Sequence, residues 1–176
     1  MKKRSTKEIL RNNQERNSPL KKDFILWLHN IRSLHNVGAA FRSADAFGVH
    51  QLWISGYTPT PPRPEITKTA IGAEEHVTWK SIEQLEKSAL KLKEEGYQLI
   101  GLEQTLNSEM LHTFRPKKEK ICLILGNEVT GISEDMLPYL DVAVEIPQFG
   151  MKHSLNVSVA AGVALYAFYE KFESGL

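Results

Sequence analysis

The sequence predicts an α/β domain built on a mainly parallel sheet with helices on both faces. Three observations predict it. Apolar runs of strand length alternate with helix-patterned segments from residue 24 onward. One run, KICLILG at 120–126, is apolar on both faces, as a strand in the middle of a parallel sheet must be. Finally, 176 residues with 41% hydrophobic and 24% charged side chains match one globular domain with a sizeable core, and no apolar stretch approaches the ~20 residues of a membrane-spanning helix.

The elements follow in order. FILWLHNI (24–31) is the first predicted strand. NVGAAFRSADAFG (36–48) is a helix: Asn36 is placed to cap it, Val37, Ala40, Phe41, Ala44 and Phe47 share a stripe, and Gly48 stops it. HQLWISG (50–56) is the second strand, and residues 57–76, with prolines at 59, 61, 62 and 64, read as loop. VTW (77–79) is a brief strand, SIEQLEKSALKLKEEG (81–96) an amphipathic helix ended by Gly96, and YQLIGLE (97–103) a strand. After KICLILG, SEDMLPYL (133–140) is predicted as a short helix capped by Ser133, with Glu134 and Asp135 suited to its first turn. VAVEIP (142–147) is the last strand. The closing helix is expected to take Ser154 as N-cap and to bury Leu155, Val159, Gly162, Val163 and Tyr166. Asn156 and Ser158 are then not needed for capping and are poor helix formers.

Charge is unevenly placed. The net value is +1, but residues 1–22 carry Lys2, Lys3, Arg4, Lys7, Arg11, Arg16, Lys21 and Lys22 against Glu8 and Glu15, a balance of +6 that leaves −5 for the remainder. A basic arm on an acidic body suits a polyanion, nucleic acid first; a solvated terminus is the plain alternative. The sequence therefore divides into an arm at 1–22 and one domain at 23–176. The terminus lacks the apolar stretch of a secretory signal, and the single Cys122 reads as a buried small hydrophobe that forms no internal disulfide, so a cytoplasmic setting is expected. No G-x-G, G-K-[ST] or G-x-S-x-G occurs, and the six histidines stand at no metal spacing. Dinucleotide, phosphate-loop, common hydrolase and metal-centre readings all weaken, and no metal is expected.

Three stretches remain. Arg42 lies off the apolar stripe one turn after Gly38, so its guanidinium can reach back over bare backbone to Asn36, a good place for a phosphate; a surface pair with Asp45 is the plainer reading of Arg42 alone. In LILGNEVTGIS a buried strand ends at Gly126, with Asn127 and Glu128 at the edge where open α/β sheets bind ligands, or simply at a solvated turn. In IPQFGMKHSLNVS, Ser154, Asn156 and Ser158 crowd the start of an apolar helix.

Together these resemble the three motifs of the SpoU (TrmH-like) family of RNA ribose 2′-O-methyltransferases, of the SPOUT class. The likeness rests on N-x5-R-x4-FG (Asn36, Arg42, Phe47, Gly48), LG-x-E-x2-G-[IL]-S (Leu125–Ser133) and IP-x2-G-x3-SLNVS (Ile146–Ser158), and covers residues 24 to 170. The wording of the last motif is most similar to the tRNA guanosine enzymes. The resemblance implies a C-terminal deep trefoil knot, a homodimer with its site near the interface, and S-adenosylmethionine as methyl donor. It implies a cofactor site at Leu102, Glu103, Leu125, Gly126, Asn127, Ile146, Ser154 and Leu155. Arg42, Asn36, Glu128, Ser154 and Asn156 are the implied catalytic set, acting on tRNA first and ribosomal RNA second. The basic arm then contacts RNA backbone. A guanidinium holds its proton, so Arg42 is expected to bind the neighbouring phosphate and steady the developing alkoxide, with Asn36 supporting it, Ser154 and Asn156 orienting the ribose, and Glu128 shaping the pocket or anchoring the arginine.

Overall fold

All six residues of the first strand, β1 (Phe24–His29), are buried, which places it inside the sheet with both faces covered. Its side chains alternate between two cores: Phe24, Leu26 and Leu28 enter one, Ile25 and Trp27 the other. In this computed structural model, which describes residues 1–175, the chain order is α1 (Thr6–Glu15), β1, α2 (Leu34–Phe47), β2 (Gln51–Ser55), α3 (Pro64–Ala70), β3 (Trp79–Ile82), α4 (Leu85–Glu94), β4 (Gln98–Leu102), β5 (Glu109–Met110), β6 (Ile121–Leu125), β7 (Val142–Glu145) and α5 (Val157–Glu173). The sheet order is β3-β2-β1-β6-β4-β7-β5 and every pairing is parallel.

Helices α2, α3 and α5 cover the first core, through Val37, Phe41, Ile66, Leu165 and Phe168. The second is covered by α4, through Ala89 and Leu92, and by Met136 and its neighbours. The expected α/β class, parallel sheet and two-sided helix cover are all present. The chain runs outward from β1 through β2 to β3, then returns to build the other half, so the strand order reverses between β1 and β6. Ligand crevices of such sheets open at the carboxyl ends beside that reversal.

Several boundaries differ from the expected ones. Helix α2 begins at Leu34 with Ser33 as N-cap, the Ser33 hydroxyl accepting from the Asn36 backbone N–H at 3.3 Å. Asn36 therefore sits in the first turn with its side chain available for other partners. Gly48 ends the helix in the left-handed region at φ 61°, as predicted. Gly38 does not lie bare beneath Arg42; it is buried against α3, where a Cβ would collide with the Thr69 hydroxyl and the Ile66 carbonyl.

Residues 57–76, read as loop, contain α3 and a 3-10 turn at Ala73–Glu75. Pro64 starts α3, a position where the missing N–H costs nothing. Helix α4 starts at Leu85 because strand β3 takes Trp79–Ile82. The helix expected at 133–140 is reduced to hydrogen-bonded turns and a 3-10 segment, Leu137–Tyr139; Pro138 has no N–H to offer an α-helical bond.

The last helix is capped by Asn156 rather than Ser154, its side-chain Oδ1 accepting from the backbone N–H groups of Ser158 at 2.9 Å and Val159 at 3.4 Å. Its buried side is Ala161, Ala164, Leu165 and Phe168, whereas the expected core stripe of Leu155, Val159, Val163 and Tyr166 lies 41–51% exposed. This segment is apolar nearly all round, so periodicity alone could not choose its inner face.

The arm is also more ordered than its charge suggests. Ser5 and Glu8 form a capping box that starts α1, with Ser5 N–H donating to Glu8 at 2.6 Å. The helix buries none of its residues, and all eight arm cations are exposed. Leu20, by contrast, is fully buried and Ser18 donates to the Phe47 carbonyl, so the packed body reaches back past residue 23. Cys122 is buried in β6 as expected, and burial pushes its thiol well up from the usual range.

Candidate active site

At the carboxyl ends of β4, β6 and β7 lies a cavity of about 470 Å³. Leu102 closes β4, Leu125 closes β6 with Gly126 just beyond it, and Ile146 follows β7; the loop ahead of α5 adds Ser154 and Leu155. Glu103 and Asn127 complete a set in which all eight sequence-predicted cofactor residues line one space. Its size suits a nucleoside-sized ligand. Its lining mixes apolar side chains, Leu102, Leu125, Ile146 and Leu155, with polar ones, Glu103, Asn127 and Ser154, as suits a ligand with an apolar body and hydrogen-bonding edges. Gln148, His153, Glu145 and Val157 also line it and carried no separate signal in the sequence.

The loop after β6 is a closed hairpin. Asn127 and Gly131 exchange backbone hydrogen bonds of 2.9 and 3.0 Å, and the Asn127 side-chain oxygen accepts from Val129 and Thr130 N–H at 2.8 and 3.0 Å. Gly131 turns at φ 71°. Glu103 accepts from the Ile132 N–H at 2.8 Å, tying this hairpin to the end of β4. Across the cavity mouth, the Gln104 amide donates to the His153 carbonyl at 2.7 Å and holds the loop that carries Ser154.

Glu128 is the hub beside this cavity. One carboxylate oxygen accepts from Ser33 N–H at 3.0 Å and from the Asn36 amide at 2.9 Å; the other accepts from Arg32 N–H at 3.0 Å. The Asn36 side-chain oxygen, Oδ1, in turn accepts from the Asn156 side-chain amide at 3.0 Å. Three elements far apart in sequence thus meet in one network: the start of α2, the hairpin after β6 and the cap of α5. Partial burial pushes the Glu128 carboxyl up, but the donors from Arg32, Asn36 and Ser33 outweigh it and hold the group below its usual value of 4.5.

The sign of the linkage follows. A carboxyl depressed in the fold contributes stability that is complete above its unfolded value and is lost as pH falls through the folded one. Glu128→Gln leaves these donors facing an amide, so thermal denaturation at pH 7 is expected to report a loss of about 1–3 kcal/mol. That gap between wild type and variant should narrow as pH is lowered below the usual carboxyl value of 4.5. A gap that stays constant across that range would remove the ionised carboxylate from the account.

The other predicted residues are placed as follows. Ser154 lines the cavity and is exposed; Asn156 is exposed at its cap position. Arg42 is exposed and makes no hydrogen bond or ion pair among the described residues, with Asp45 or with Glu128. Six residues after Asn36 on a helix, it points roughly 120° away from it. Within one chain, then, Asn36, Glu128 and Asn156 converge, while Arg42 stands apart on the outer side of α2.

Beneath the site lies a polar cluster that sequence reasoning missed. His29, 3% exposed, bonds the Ser55 hydroxyl through Nδ1 and the Ser133 hydroxyl through Nε2, each at 2.7 Å, and Trp27 donates to Ser55 at 2.7 Å. Burial pushes the His29 imidazole below its usual value, against the pull of Asp135. The available signal was a polar residue ending each of two apolar strands, since His29 and Ser55 are paired in register.

Known proteins resemble this chain in sequence and fold. The SpoU rRNA Methylase family profile matches residues 23–166. The 23S rRNA (guanosine-2′-O-)-methyltransferase RlmB of Neisseria meningitidis is 34% identical over 80% of this chain and 56% of its own length. The tRNA (guanosine(18)-2′-O)-methyltransferase of Thermus thermophilus is 32% identical over 98% of this chain and 84% of its own. The chain thus spans little more than half of the first relative and most of the second. Among solved structures, the A. aeolicus TrmH/SpoU tRNA modifying enzyme superposes with a TM-score of 0.79 at 27% identity, covering 96% of this chain and 85% of that one. The SpoU methyltransferase AviRb of Streptomyces viridochromogenes, in complex with the cofactor AdoMet, superposes with a TM-score of 0.77 at 25% identity over 88% of this chain and 60% of its own. With its profile, its strand-end cavity and its three motifs in agreement, the chain belongs to the SpoU rRNA methylase family.

Proposed function

We propose that this chain is an S-adenosylmethionine-dependent RNA ribose 2′-O-methyltransferase acting on a guanosine of tRNA. One observation carries the reading: the eight predicted cofactor residues enclose a single cavity, and the Asn36–Glu128–Asn156 network stands at its edge. The tRNA guanosine names of the Thermus and Escherichia coli relatives support the substrate, and the Neisseria relative supports ribosomal RNA as the second reading.

S-adenosylmethionine supplies the methyl group when bound. The residues of this chain then position the acceptor. Asn156 and Ser154 hold the ribose at the cavity mouth, and Arg42 binds the adjacent phosphate and steadies the charge that develops on the ribose oxygen. The hydroxyl proton passes to that phosphate or to water, because a guanidinium does not accept it.

Two structural expectations belong to the same proposal. The chain from β6 into α5 is threaded as a trefoil knot, a reading supported by family membership and by the likeness to the Aquifex structure. Two copies form a homodimer through the outer face of α5, where Val159, Val163 and Tyr166 make an apolar surface of the kind that marks an interface. No helix among the described residues is long and apolar enough to cross a membrane.

The test is incubation with labelled S-adenosylmethionine and bulk tRNA or bulk rRNA, followed by digestion to nucleosides. Label in 2′-O-methylguanosine from tRNA is expected. Label confined to rRNA moves the substrate to the second reading, and label in neither leaves an RNA-binding module without the activity.

A further inference from the structure

We propose that the opposite end of the sheet carries a second RNA-phosphate site, centred on Lys171 and Lys117 with Arg115 on the adjoining loop, that grips the substrate far from the methylated ribose. The proposal rests on the RNA reading above. A cavity of about 500 Å³ opens where β1 and β6 begin, lined among others by Lys22, Asp23, Lys117, Lys118, Glu119 and Lys171. Strand β1 alone separates this end from the cofactor end by ~20 Å of rise. The cavity joins the root of the basic arm, at Lys22, to RPKKEK (115–120), the basic segment that the catalytic site leaves unused.

Lys171 is the decisive residue. It is only 6% exposed, yet among the described residues no carboxylate comes within ion-pair distance of it. Among the described residues its ammonium donates once, to the His112 carbonyl at 3.2 Å. An ammonium has three protons to place, and a buried charge is costly unless it is paired. A second positive charge makes the want of an anion greater. Burial first, and then nearby Arg115, push the Lys171 amine below its usual value, against Glu170.

The loop that faces Lys171 is held in advance of any ligand. The backbone N–H of Lys117 donates to the buried Gln98 side chain at 2.8 Å, which fixes the turn and leaves the Lys117 ammonium exposed. Lys118 donates to the Tyr97 carbonyl at 3.0 Å. Asp23 and Glu119 share the lining but form no ion pair with these lysines among the described residues. A phosphate diester supplies what is missing: a compact anion with several acceptor oxygens, repeated along a chain that the arm can follow. A short oligonucleotide at the catalytic end does not reach this site, so it selects for a folded, extended RNA.

The test is equilibrium binding of bulk tRNA to the full chain across a salt series, without cofactor. In the variant Arg115→Ala/Lys117→Ala, affinity at low salt is expected to fall roughly tenfold, and the slope of log K against log salt to flatten by about 1.5, as the loss of two phosphate contacts requires. Lys171→Met keeps the volume, and is expected to flatten the slope further with an unchanged or raised melting temperature, since a buried unpaired charge is replaced by an apolar chain. Should Lys171→Met unfold, the surface double variant decides alone. Wild-type affinity and slope in the double variant would overturn the site, and would point to an acidic protein or to no ligand. Methylation of tRNA by the wild type is scored separately: an altered slope without methylation sinks the enzyme reading only, and methylation with an unaltered slope sinks this one only.

Discussion

Arg42→Ala is expected to lower methyl transfer by ~10²–10³-fold, the range for loss of one group that stabilises developing charge. The side chain is exposed and bonded to nothing among the described residues, so the melting temperature and the affinity for S-adenosylmethionine should stay at wild-type values. Arg42→Lys should recover little, because a point charge cannot present the planar fork of a guanidinium to phosphate. Near-normal turnover by the alanine variant would take Arg42 out of the mechanism. The outward direction of Arg42 adds a sharper test. If its guanidinium serves the cavity of a second copy, mixing two inactive variants, Arg42→Ala and Gly126→Ala, should restore activity. Each mixed dimer would hold one undamaged site, giving about a quarter of the wild-type rate with random pairing. If Arg42 serves its own cavity, every chain in the mixture is defective and nothing returns.

Gly126→Ala is expected to be among the most damaging single substitutions in this chain. A Cβ at this position would meet the carbonyl carbon and oxygen of Gly131 and the backbone nitrogen of Ile132. All three are backbone atoms of the hairpin after β6, pinned by the Asn127–Gly131 exchange and by Glu103. They cannot swing aside as a side-chain tip can, so the added methyl must open the hairpin. Overpacking of this kind costs about 1–3 kcal/mol, and each broken hydrogen bond adds roughly 1 kcal/mol. For a chain of this size, a loss near 3 kcal/mol lowers the melting temperature by about 6–12 °C. Cofactor affinity should fall with it, since Leu125, Gly126 and Asn127 line the cavity. A variant that melts like wild type and binds S-adenosylmethionine normally would mean that the hairpin is far softer than its bonding indicates.

The strands were legible because apolar runs of strand length mark them, and the end of the central one at Gly126 marked an edge where such sheets bind ligands. That Leu102, Leu125 and Ile146 share one cavity was legible only through the resemblance to the SpoU motifs, since 44 positions separate the first from the last. Helix starts were not legible. Ser33 and Asn36 compete to cap α2, and Ser154 and Asn156 compete to cap α5; the choice falls to tertiary partners that no local pattern records. Asn36 is drawn off by Glu128 and Asn156, which leaves the cap to Ser33. The inner face of α5 was hidden because almost every position there is apolar, and α3 was hidden behind a run of prolines whose last member begins it. The convergence of Asn36, Glu128 and Asn156 followed from the motifs, but the specific role of Glu128, accepting two backbone N–H groups at the start of α2, had no sequence signal.

The strand order bears on how the polypeptide can be made. A ribosome delivers β1, β2 and β3 early, and these can pair at once. Strand β4 is different: both its partners, β6 and β7, are synthesised after it. Until residues 121–125 emerge, the nascent chain holds β4 without a neighbour and β1 with one edge open, both apolar and both able to pair with the wrong chain. A message truncated before that point would yield a sticky fragment rather than a smaller folded domain, and the growing polypeptide should lean on chaperones until its final third is out.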